Sequence, residues 1–169
     1  MKLGGAVLVL LGCALAGKQY ALSRRGELRC LGALCEALQR MEAELSARGL
    51  PLPELIALLA RETAAPASAY FAQLSGRLSD LGERSFHDLW RETAKDILSP
   101  LAPAEREAFC ALGAALGRYP LEEQKAAIRR CRERLAARRD TSQRRLRDDL
   151  RLSWGLSACL GFLLWILLI

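Results

Sequence analysis

Apolar positions are continuous at the two ends of the chain and periodic between them. The first end, Leu3–Gly17, reaches about 20 residues when carried through Gln19–Leu22, the length of a membrane-spanning helix. The last 18 residues, Leu152–Ile169, carry no charge. Between them apolar residues recur at helical intervals. Leu28, Leu31, Cys35, Leu38, Met41 and Leu45 are spaced 3, 4, 3, 3 and 4 apart, which predicts one long helix continuing from the first apolar run. Gly49, followed by Pro51 and Pro53, predicts its stop.

Four short-to-medium segments follow. Leu55, Ile56, Leu58 and Leu59 predict a helix over 53–63, broken by Ala64-Ala65-Pro66. Tyr70, Phe71, Leu74 and Leu78 predict a helix over 67–80. Ser85 reads as an N-cap with Asp88 three residues on, a variant of the capping box, opening a helix over 86–97 that buries Phe86, Leu89, Trp90 and Ile97. Phe109, Cys110, Leu112 and Leu116 predict a helix over 103–117, in which Gly113 and Gly117 allow close helix approach and Gly117 also reads as the C-cap before the turn Leu116–Pro120. A sixth helix begins near Leu121, after Pro120, with Glu122 and Glu123 favourable at its N-terminus. It buries Ile128, Cys131, Leu135, Leu146 and Leu150 and has the register to run into the last apolar run. Short connections favour antiparallel neighbours. The fold class expected is therefore all-α, an antiparallel six-helix bundle between N- and C-terminal transmembrane helices. The divisions are a transmembrane helix over 3–22, a cytoplasmic helical bundle over 23–151 and a second transmembrane helix over 152–169.

Composition sharpens this reading. The region 18–151 holds 24 of the 25 basic residues and all 19 acidic ones, lacks Val and contains only Ile56, Ile97 and Ile128 as Ile, which favours helix over sheet. Lys18, Arg24, Arg25 and Arg29 follow the first run. Ten arginines lie between Arg129 and Arg151, among them Arg144, Arg145, Arg147 and Arg151, against four acids. Basic residues flanking a span stay in the cytoplasm, so both ends place the middle there, as two spans require. The competing reading is an exported lipoprotein or cell-envelope helical domain. Leu10-Leu11-Gly12-Cys13 resembles a lipobox and Ala14-Leu15-Ala16 a signal-peptidase site, so cleavage or lipidation at Cys13 stays open. Small residues in both runs, such as Gly12 and Gly161, permit span-to-span packing, within one chain or in a homo-oligomer.

Catalytic signatures are missing. No phosphate-binding Gly-rich loop, HExxH or GxSxG occurs, and His87 is the only histidine, read as a surface residue of the fourth helix. The six cysteines form no CxxC pair; Cys30, Cys35, Cys110 and Cys131 read as small core fillers. No catalytic residue, cofactor or metal site is expected. The arginine-rich stretch has no aromatic residues for stacking on bases. It fits topology control and anionic lipid, or an acidic partner, better than nucleic acid.

Three local patterns, in this order between two apolar ends, carry a resemblance. They are Leu50-Pro51-Leu52-Pro53-Glu54-Leu55, then Leu112-Gly113-Ala114-Ala115-Leu116-Gly117, then Glu123-Gln124. The chain resembles the stage III sporulation protein AB family along its whole length, with Pro51, Pro53, Gly113, Leu116, Gly117 and Gln124 at the motif positions. The resemblance implies a non-enzymatic platform in the mother-cell membrane, within a secretion-like complex joining mother cell and forespore. It also implies a likeness, in fold only, to the inner-membrane platform proteins of type II secretion. The partners implied are a cytoplasmic secretion-type ATPase and other membrane components of the complex.

Overall fold

The computed structural model describes the backbone of residues 2–168 and the side chains of residues 24–146. Six α-helices follow one another: α1 Lys2–Ala47, α2 Leu52–Glu62, α3 Ala67–Arg77, α4 Phe86–Ile97, α5 Pro103–Ala115 and α6 Leu121–Leu168. Among the described residues there is no strand, only an isolated bridge between Leu81 and Arg84. The chain divides into two compact units, one of residues 1–24 with 140–169 and one of residues 25–139. The expected spans, 3–22 and 152–169, lie outside the residues whose side chains are described, as do Lys18, Arg147 and Arg151. Among the described residues no helix is long and apolar enough to cross a membrane.

Within the unit 25–139, α1 and α6 run in opposite directions. Arg138 of α6 lies 3.2 Å from Glu27 near the start of this part of α1. Further along α1, Glu42 accepts Arg129 at 2.8 Å and Arg132 at 3.2 Å. The Arg139 guanidinium lies 3.7 Å from the position a Cβ on Gly32 would take. The chain thus enters and leaves this unit at one end. Helix α1 rises about 33 Å from Arg25 to Ala47 at 1.5 Å per residue, which puts the α1–α2 and α5–α6 turns at the other end.

The core is built around Trp90, fully buried with Tyr70, Phe71 and Phe109. The Trp90 ring stacks on Phe109 at 4.9 Å and meets Tyr70 edge-on at 5.3 Å. Its indole N–H donates to the Phe109 carbonyl at 2.9 Å, and the Tyr70 hydroxyl donates to the Trp90 carbonyl at 3.1 Å. Both polar tips of these aromatic side chains are therefore satisfied without water. Desolvation pushes the Tyr70 phenol well above its ordinary value, so it stays a donor. Gly113 gives the reason α5 can lie against this ring: a Cβ there would sit 2.6 Å from Trp90 Cδ1 and Cγ.

Three expectations change. The third helix was expected to reach residue 80; the α-helix stops at Arg77 and Leu78–Asp80 forms a 3₁₀ turn. The Ser79 hydroxyl donates to the Gly76 carbonyl at 3.2 Å, in the manner of serines that compete with the backbone at helix ends. The fifth helix ends at Ala115 rather than 117, because Leu116 turns to extended backbone and buries its side chain to 2% exposure. Gly117 follows at φ +76°, a conformation other residues rarely adopt. His87 is half-buried rather than on the surface, with Nδ1 enclosed and without a hydrogen-bond partner. The other boundaries fall within a residue or so of the spacing-based ones. Ser85 caps α4 as expected, accepting the Asp88 N–H at 3.2 Å. Cys30, Cys110 and Cys131 are buried, and Cys35 is half-buried.

Candidate functional site

The three family-motif stretches meet at the end of the unit away from its chain entry and exit. Pro51 precedes α2 and Pro53 lies in its first turn, where a missing N–H costs no hydrogen bond. This brings Leu52 against the α5–α6 turn, its Cδ2 3.6 Å from the position a Cβ on Gly117 would take. Gln124, in the first turn of α6, donates through Nε2 to the Tyr119 carbonyl at 2.7 Å and so ties that turn to the helix it precedes. Gly113 acts one layer below, by seating Trp90.

These turns enclose an apolar cleft of about 270 Å³, lined by Leu52, Pro53, Leu78, Leu116 and Phe86, with Gly117 and Arg118 at its edge. Leu81 also lines it and is 43% exposed. Beside it on the chain, Tyr119 is 52% and Leu121 43% exposed. These three are the large apolar side chains left exposed among the described residues. The Arg84 side chain binds Glu92, which fixes the loop that carries Leu81 onto α4.

Sequence reasoning placed Pro53, Leu116 and Gly117 in the motif but missed that Leu78, Leu81 and Phe86 complete the cleft. Leu81 carried a signal: a lone large apolar residue between Asp80 and Gly82-Glu83, outside any helical stripe. Of the basic flank, Arg24 is half-buried, and Arg25, Arg144 and Arg145 are exposed. No group of three or more His, Cys, Asp or Glu is placed to hold a metal among the described residues. The cleft contains no titratable nucleophile or acid–base pair. What it offers is apolar contact area with a cationic edge, the composition of a protein-contact surface.

The family model for stage III sporulation protein AB matches residues 2–169. The chain belongs to the stage III sporulation protein AB family. Stage III sporulation protein AB of Bacillus subtilis (strain 168) is 28% identical over 172 residues, covering all of this chain and 97% of that protein. A solved structure of stage III sporulation protein AB (SpoIIIAB) superposes with a TM-score of 0.62 at 25% identity, covering 72% of this chain and 96% of the solved one. Membership gives a stage III sporulation protein AB fold and a role in sporulation.

Proposed function

We propose that the protein is a non-enzymatic platform of a secretion-like sporulation complex, rooted by both ends in the mother-cell membrane. Its central part is an antiparallel helical bundle in the mother-cell cytoplasm. It docks a cytoplasmic secretion-type ATPase and meets other membrane components of the channel between mother cell and forespore. The observation that carries this reading is the apolar cleft at the joined family-motif turns. It lies at the end of the unit opposite to the one where the chain enters and leaves. Uncharged runs at both termini, each flanked by basic residues on its inner side, support a two-pass topology.

The test is copurification of the full chain with the ATPase from sporulating cells. Leu81→Glu with Leu121→Glu puts charge on two exposed apolar side chains, and neither packs in the core. The pair should abolish copurification and block sporulation while the protein stays in the membrane. Arg118→Glu should weaken copurification. Undiminished ATPase recovery with all three changes would eliminate the cleft as the docking site.

A further inference from the structure

A second surface lies along α5. On one side of this helix, the groove against α4 gathers Arg91, Lys95 and Arg106, with Glu107 the one acid lining it. On the other side, the groove against α6 is about 320 Å³, with a floor that includes Ala108, Ala111 and Ala115 between Arg130 and Arg134. Between the grooves, α5 exposes Glu107 and Ala111. None of the five cations forms an ion pair among the described residues. Of the acids nearby on α4 and α5, Glu92 is committed to Arg84, Asp96 to Arg77 and Glu105 to Arg138, while Glu107 forms no ion pair among the described residues. Arg91 with Lys95, and Arg130 with Arg134, are like-charge pairs four residues apart, an arrangement that disfavours a helix on its own. Burial pushes the Cys110 thiol up; Arg91, Arg106 and Lys95 pull it back, and Glu107 opposes them.

We infer that the α5 face is a docking groove for an acidic amphipathic helix of a protein partner. An alanine floor lets a second helix approach closely. Two arginines four residues apart match carboxylates at the same spacing on that helix, and pairing with them would relieve the repulsion built into α4 and α6. The surface is separate from the apolar cleft, and the inference does not depend on which protein the cleft binds. A nucleic acid would need stacking partners, but the exposed aromatic among the described residues, Tyr119, lies in the turn beyond α5.

A photo-crosslinking amino acid at Ala111 of the full chain, in sporulating cells, tests this. The expected product is a protein adduct whose mapped segment is helical in pattern and rich in Asp and Glu. Arg130→Glu with Arg134→Glu should lower its yield about tenfold, and the milder Arg134→Gln should lower it less. Arg61→Glu, an exposed unpaired arginine on α2, should leave it unchanged. Adducts to lipid or nucleic acid, a neutral or basic protein segment, no adduct, or equal loss with Arg61→Glu would each overturn the inference.

Discussion

Replacing Gly113 by Ala tests the core at its tightest point. The added methyl would lie 2.6 Å from two Trp90 ring atoms and 2.9 Å from its Cβ. Ordinary contact begins near 3.4 Å, so the indole or α5 must move by most of an ångström. The indole is fully buried, hydrogen-bonded to the Phe109 carbonyl and packed on the rings of Tyr70, Phe71, Phe86 and Phe109. Overpacking of this kind costs about 1–3 kcal/mol. Losing the indole hydrogen bond adds about 1 kcal/mol, and disturbing an aromatic pair about 0.5–1.5 kcal/mol. Alanine gives back up to about 1 kcal/mol of helix propensity. The net expectation is a destabilisation of about 2–4 kcal/mol. The assay is urea unfolding of the detergent-solubilised full chain, read by Trp90 fluorescence with Trp154 and Trp165 changed to Phe. Gly76→Ala is the matched control, because a Cβ there meets nothing within 4 Å. It should be neutral or stabilise by up to about 1 kcal/mol. Gly113→Ala unfolding at the parent's urea midpoint would refute the close-approach argument.

Three further outcomes follow from local chemistry. Ser85→Ala removes the α4 cap and should cost about 1 kcal/mol at neutral pH. The Ser85 hydroxyl also donates to the Asp88 carboxylate at 2.6 Å, which holds that carboxyl below its ordinary range. Asp88's share is thus full above the ordinary carboxylate range and lost as pH falls through its lowered value, so melts from pH 6 to pH 3 should show the parent–variant gap narrowing. Glu27→Ala leaves Arg138 with Glu105, at 3.7 Å, as its acid among the described residues, and should cost about 2–3 kcal/mol in the same urea assay, since Glu27 is buried. Burial pushes the thiols of Cys30 and Cys131 up to about 12, so with Cys13 and Cys159 replaced, maleimide at pH 7.5 should modify half-buried Cys35 first and leave those two untouched until the protein unfolds.

Helix positions were legible because each helix is marked twice, by a 3–4 apolar spacing and by a stop or start residue. Gly49 ends α1, Ser85 starts α4 and Pro103 starts α5. Gly117 was legible as a helix-end glycine, and it takes a positive φ there. Gly113 was legible only as a small residue, because the indole it seats comes from a distant part of the chain that spacing does not reveal. The cleft was half legible. Its motif half sits at helix ends with recognisable turn chemistry. Its other half comes from a loop whose position is set by Arg84 binding Glu92 and by the 3₁₀ turn at Leu78–Asp80. The α5 face was hidden because its five cations come from three helices, and only their convergence distinguishes them from ordinary solvated charge.

The proposed platform is rooted in the membrane, with its central unit facing the mother-cell cytoplasm. A single cysteine at exposed Ser79, in an otherwise cysteine-free full chain, reports on it most directly. With a membrane-impermeant maleimide, labelling is predicted in inverted membrane vesicles and not in intact sporulating cells. Labelling of Ser79→Cys in intact cells would put the central unit outside and remove the platform reading.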